Sequence, residues 1–163
     1  MRARVLVSVV LAAGVLLGTS GCNLLAPQST TKHYDASDGV SGNVGDLAIR
    51  NAIVLSEDGT TGSLLVTVVN SGDSAHSLSV QFTGDSGKVT QKVTVKADST
   101  TTFGTEDSPV LALDAIEAQP GSLFPVFFQY GNETGVELLV PVLDGSLGQY
   151  STLVPTATPT PTP

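Results

Sequence analysis

Lys88, Lys92 and Lys96 stand four residues apart in a segment whose alternate positions carry Val89, Val93 and Val95. At a strand rise of about 3.3 Å per residue, that spacing sets successive ammonium groups about 13 Å apart on one strand face. A row of this kind has two uses. It keeps a sheet edge from pairing with other chains, or it offers a positive surface to an acidic envelope polymer, anionic headgroups or an acidic partner. The two histidines, His33 and His76, are far apart in the chain with no local ligand spacing, so they predict no metal site. His76 has the parity of an inward-facing set but opens its strand beside Gly72-Asp73-Ser74-Ala75, which predicts partial exposure. Asn51 also has inward parity, and a buried amide must be satisfied, which predicts a hydrogen bond to bulged or edge backbone. Asp35-Ala36-Ser37-Asp38-Gly39 has oxygen-rich composition without the alternating ligand positions and distal Glu of a calcium loop. It reads as a solvated loop. Asn132-Glu133-Thr134 matches a glycosylation acceptor, and a turn between strands accounts for the same residues.

Cys22, the one cysteine of the chain, sits where an export signal ends. Arg2 and Arg4 make a positive start, Val5 to Leu17 is apolar apart from Ser8, and Gly18-Thr19-Ser20-Gly21 brings small residues before the cysteine. The apolar run is shorter than the about 20 residues a bilayer span needs. Ser20-Gly21-Cys22 resembles the bacterial lipobox, with Thr19 where Leu is usual. The resemblance implies that the Cys22 thiol carries diacylglycerol, that cleavage makes Cys22 the N-terminus, and that acyl chains such as palmitate hold the protein on the membrane. The thioether would use the only sulfur able to form a disulfide, so the folded part must be held by its core. Gly84-Asp85-Ser86-Gly87 has the composition of the nucleophile loop of chymotrypsin-like proteases, but a base and an orienting acid have no counterpart. A hairpin turn explains it.

These residues need a scaffold, and composition bounds it. Residues 1–21 form the signal, 22–32 the lipidated cysteine and a tether, 33–150 a single domain, and 151–163 a Pro/Thr-rich disordered tail. In the tail Thr156, Thr158, Thr160 and Thr162 alternate with prolines, a composition that permits O-linked glycosylation. Loss of Arg2 and Arg4 with the signal takes Lys+Arg from 7 to 5 against 15 Asp+Glu, a net charge of −10. Nucleic acid is excluded as a partner by that charge. A chain with 40% hydrophobic, 13% charged and 5% aromatic residues, rich in Thr, Ser, Val and Gly, reads as all-β.

Period-two alternation supports this. His76 to Phe82 sends Leu78, Val80 and Phe82 inward and, with Lys88 to Lys96, makes a hairpin about Gly84-Asp85-Ser86-Gly87. Leu47, Ile49, Ile53 and Leu55 share a face of an earlier strand. The run from Leu64 to Val69 is apolar on both faces and predicts a central strand. Phe124, Val126, Phe128 and Tyr130 alternate, Gly131 to Gly135 turns, and Val136, Leu138, Val140 and Val142 answer in a second hairpin. Thr100 to Phe103 and Val110 to Leu113 are shorter strands, and residues 114–118 are read as a single helical turn. The sum is an immunoglobulin-like, or cupredoxin-like, β-sandwich of seven or eight short strands.

Asn51-Ala52, Val68-Val69-Asn70-Ser71-Gly72, Leu78, Gln119-Pro120-Gly121, a Phe-rich strand and Val140-Pro141-Val142 follow one another in an order that resembles small actinobacterial envelope lipoproteins of the LpqE type. More distantly, it is similar to periplasmic copper chaperones of the PCuAC type. The resemblance spans residues 44–143. The chaperones bind copper(I) through His and Met, but here Met1 leaves with the signal. The family's His-x-Met element would fall near Ser108 to Leu111, which holds neither residue. The resemblance therefore implies a fold and an extracytoplasmic location, carries over no copper ligand, and calls for no cofactor. The function this predicts is a lipid-anchored protein on the outer face of the cell membrane, whose non-catalytic sandwich binds an envelope protein or polymer or serves a structural role. A copper-chaperone relative is the first alternative and an envelope enzyme the second.

Overall fold

The computed structural model describes residues 2–19, 35 and 37–155. Cys22, the tether, His33 and the tail threonines Thr156, Thr158, Thr160 and Thr162 lie outside the described residues. The chain forms two compact units, Met1–Tyr34 and Asp35–Pro163. The first contains a helix, α1 (Arg2–Thr19). No helix among the described residues is long and apolar enough to cross a membrane.

The second unit contains nine strands: β1 (Val40–Val44), β2 (Leu47–Leu55), β3 (Thr61–Asn70), β4 (His76–Gly84), β5 (Gly87–Val95), β6 (Ser99–Phe103), β7 (Ala112–Asp114), β8 (Leu123–Gln129) and β9 (Val136–Leu143). They run in the order β5-β4-β8-β9-β2-β3-β6, with β1 paired to β2 and β7 to β3. All ladders are antiparallel except β2 with β9, which meet in parallel at Val54↔Val142 and Leu55↔Leu143. That short join lets one sheet curl over and face itself, giving the cupredoxin-like, immunoglobulin-like sandwich. The nine strands exceed the seven or eight read from the sequence. β1 is one the pattern misses, because Val-Ser-Gly-Asn-Val lacks apolar alternation and is held by its pairing with β2.

Residues 114–118 correct a second expectation. They form no helical turn: Asp114 ends β7, Ala115 is left-handed at φ 53°, and the chain then runs alongside the β2–β3 connection. Ile116 and Ala118 are both buried, a two-residue period that only an extended segment satisfies. Their N–H groups donate to Thr60 O at 3.0 Å and Gly59 O at 2.9 Å, bonds a helical turn would forgo.

The third correction lies in β2. Between Arg50↔Thr67 and Ile53↔Leu65, β2 advances three residues while β3 advances two. The extra residue makes a bulge, with Asn51 left-handed at φ 50°. Beyond it the side-chain parity inverts. Leu47 and Ile49 therefore join Ala52 and Val54 in the main core, together with Leu64, Val66, Phe82 and Phe128. Ile53 and Leu55 point the other way, into a second cluster with Leu65 and Tyr150, against which Leu143, Leu153 and Val154 pack. A C-terminal segment thus covers the outer side of β2 and β3. It is pinned by Tyr150 Oη donating to Asp38 Oδ2 at 2.8 Å, and by Gly145 N–H donating to Glu57 Oε1 at 2.9 Å. Packed side chains continue past Tyr150 to Val154.

Candidate interaction surface

The lysine row is positioned by the β4–β5 hairpin. Its ladder runs from His76↔Val95 to Gly84↔Gly87, so Asp85 and Ser86 form a two-residue turn, and Gly87 sits at φ 111°, where a side chain would be strained. This register sets Lys88 opposite Thr83 and Lys92 opposite Ser79 on the outer face. β5 ends the strand path, so the row runs along a sheet edge. Lys96 follows the last residue of β5, and its carbonyl accepts from Asn70 Nδ2 at 2.9 Å and from Ser99 Oγ at 2.7 Å. The three ammonium groups are exposed and make no ion pair among the described residues. By contrast, the Arg50 guanidinium is occupied by Gly42 O, Ile49 O and Asn43 Oδ1.

The same outer face continues across β4, β8 and β9. Gln81 pairs with Phe127 and Phe127 with Glu137, while Pro125 pairs with Leu139 and Leu123 with Pro141. Inward parity on this hairpin is as the alternation predicts: Phe124, Val126, Phe128, Tyr130, Val140 and Val142 are buried, and Val136 and Leu138 pack against them. The outward parity is the part sequence reasoning missed. Leu123 is 60% and Leu139 54% exposed, and Phe127 and Pro125 stand beside them. The signal was available, since β8 and β9 lack the polar alternate set that β4 and β5 carry. The β4–β8 ladder stops at Gln81↔Phe127, just before Pro125, which has no N–H to extend it. Past that point the strands leave a shallow depression of about 380 Å³, lined by Gln81, Thr83, Lys88, Pro125, Phe127 and Glu137 among others.

The other sequence candidates do not converge on this face. His76 is half-buried and lies over the Tyr130 ring, centroids 4.2 Å apart, while Tyr130 Oη accepts the Asp46 N–H at 3.0 Å. Among the described residues, no group of three or more His, Cys, Asp or Glu is placed to hold a metal ion. Asn51 takes the structural role predicted for it, its Oδ1 accepting the Gly39 N–H at 3.0 Å. Gly84-Asp85-Ser86-Gly87 is the hairpin turn, at the opposite end of β4 from His76. Asp38 accepts from Tyr150, and Ser37 Oγ donates to Gly39 O at 3.4 Å. Asn132-Glu133-Thr134 lies in the exposed β8–β9 turn.

The perturbed titrating groups build turns. N–H donation from Thr61 and then Thr60 holds the Asp58 carboxyl below its ordinary range, and the Ser146 hydroxyl and N–H do the same for Asp144. Burial, followed by the Asp38 carboxylate, pushes the Tyr150 phenol up. Asn70 is fully committed: Nδ2 donates to Ser74 O and Lys96 O, and Oδ1 accepts from Gly72 N–H. It ties the β3–β4 connection to the end of the lysine row. No buried side-chain N or O among the described residues lacks a partner.

No protein-family model and no curated protein sequence matches this chain. A solved structure described as the apo PCuAC domain from PmoF1 is similar to it, with a TM-score of 0.53 and 15% sequence identity, over 64% of this chain and 98% of the other. At that identity the similarity is one of fold: the chain carries the β-sandwich architecture of a PCuAC domain.

Proposed function

We propose that the protein is an extracytoplasmic lipoprotein of the LpqE type, anchored through Cys22, whose PCuAC-like sandwich acts by binding and performs no catalysis. The observation that carries this reading is the distribution of its polar groups. Inside the sandwich, Asn70, Ser56 and Ser63 are committed to backbone partners. Outside, among the described residues, the unpaired cations Lys88 and Lys92 stand on one sheet face beside exposed apolar side chains, with Lys96 just past the end of the same strand. That arrangement suits a contact surface. Among the described residues it supplies no nucleophile, base and oxyanion donor at common reach.

The fold similarity favours one second reading, a copper-chaperone relative. The donor set of this domain does not fit that cargo. After Cys22 the sequence has no Met or Cys, and its histidines are His33 and the ring-stacked His76. At the positions of the family's His-x-Met element, Ser108 Oγ accepts the Thr105 N–H at 2.8 Å and Pro109 O accepts from Gly104 N–H at 3.0 Å, so the segment is a hydrogen-bonded turn.

Two measurements test the proposal. Cys22→Ala should move the protein from the membrane fraction to precursor or soluble forms, and the intact mass of the membrane-extracted protein should carry acyl chains. An unmodified thiol at Cys22 would refute the anchor. Copper(I) titration of the purified protein should show no tight stoichiometric site. Finding one would replace the binding-domain reading with the chaperone reading.

A further inference from the structure

We propose that the outer face of β5-β4-β8-β9 is the side the domain lays against an anionic lipid bilayer. The inference deepens the proposed function and rests on its anchor for the identity of the surface. Lys88, Lys92 and Lys96 are three of the five cations left after the signal, unpaired and along one edge of this face. The remaining surface belongs to a molecule of net charge −10, which an anionic membrane repels from other directions. Charge thus selects one approach. Next to the lysines stand Leu123, Pro125, Phe127 and Leu139, apolar and outward. An acidic polysaccharide would leave these four in water, whereas the boundary between headgroups and acyl chains accommodates both classes of side chain at once. Asp35 lies thirteen residues after Cys22, a reach of at most about 45 Å for a fully extended chain. A lipid-anchored domain is therefore confined near its own bilayer, which becomes the surface at highest effective concentration. Glu137, paired with Phe127, opposes the contact, as do Asp85 and Glu117, which line a hollow with Thr83, Leu123 and Pro125 at the border of this face.

Each lysine near an anionic surface is worth about a fivefold gain in affinity, so three together give about a hundredfold. The test uses the chain from Asn23 onward, which lacks the anchor but retains the whole compact unit Asp35–Pro163. Flotation with phosphatidylcholine vesicles containing about 30 mol % phosphatidylglycerol should show binding that is lost near 0.3 M salt, and no binding to phosphatidylcholine alone. Changing all three lysines to Gln should weaken vesicle binding about a hundredfold, while the three Arg replacements should retain it. Leu139→Ser should weaken it, and Glu137→Gln should strengthen it severalfold. Circular dichroism melts identify any variant that has lost its fold, and the Arg and Glu137 variants test the face without that risk. Absence of binding by the anchor-free chain, equal binding by the Gln variant, or equal binding to neutral vesicles would overturn the proposal. Capture by soluble polyglutamate in preference to vesicles would also overturn it and assign the face to an acidic protein partner. Because the probe lacks Cys22, either result leaves the fractionation test of the anchor independent.

Discussion

Substituting Asn51 by Ala, Gly and Asp separates two contributions to the bulge that decides which side of β2 faces the core. Asn51 is left-handed at φ 50°, and its Oδ1 accepts the N–H of buried Gly39 at 3.0 Å. Asn51→Ala removes both supports. A left-handed conformation costs a residue with a Cβ about 1 to 2 kcal/mol, which Asn offsets locally. The orphaned Gly39 N–H adds about 1 to 3 kcal/mol. The combined loss is about 3 kcal/mol. Asn51→Gly tolerates the backbone and loses only the bond, about 1 to 2 kcal/mol. Asn51→Asp keeps an acceptor and a residue that visits the left-handed region, so its effect stays below about 1 kcal/mol. For a folded unit of this size, 1 kcal/mol corresponds to about 4 °C, which predicts melting temperatures lowered by about 12 °C for Ala, 6 °C for Gly and under 4 °C for Asp. Thermal melts followed by circular dichroism give the order. Ala and Gly variants that both melt within 2 °C of the parent would refute the reasoning.

Tyr150→Ala should destabilise by about 3 kcal/mol through loss of its packing on Ile53, Leu55 and Leu65, whereas Tyr150→Phe should lose about 1 kcal/mol with the Asp38 bond. Burial and Asp38 raise the Tyr150 phenol above its ordinary value of 10.0, so this contribution is fully present below that pH and is lost as pH rises through the folded value. The gap between parent and Tyr150→Phe in chemical denaturation should therefore be constant from pH 6 to 9 and close above 10. Asn70→Ala removes three hydrogen bonds from a buried site and should lower stability by about 3 kcal/mol, with faster amide exchange at Gly72 as the local signature. Gly135→Ala drives a Cβ into the Phe127 ring and to 2.8 Å from Phe128 O; the expected loss is about 1 to 3 kcal/mol, and an unshifted Phe127 ring resonance in NMR would contradict it.

Much of the sandwich was legible because alternation and turn chemistry are local. The β4–β5 hairpin has polar and apolar residues in strict exchange about a Gly-flanked pair, so its strands, turn and outward lysines followed from residue type alone. β8 and β9 showed their inward set equally well, but their outward apolar residues passed unnoticed, because a strand apolar on both faces does not say which face is buried. The candidate surface was therefore half visible: its cations stood out in an acidic chain, and its apolar part emerged only when the register set Leu139 beside Pro125 and Phe127 beside Glu137.

Sequence alone determined the class of fold, the two hairpins and the lysine row, all of which depend on neighbours within a few residues. Tertiary structure decided the rest. The bulge at Asn51 inverted the parity of β2 and assigned Ile53 and Leu55 to the outer cluster, a shift of one residue that no propensity marks. The path of residues 114–118 and the docking of Tyr150 depend on partners far away in the chain, such as Thr60 for Ile116 and Asp38 for Tyr150. Those partners supply hydrogen bonds and apolar cover that the segments lack locally, so their conformations exist only once the sheet has closed.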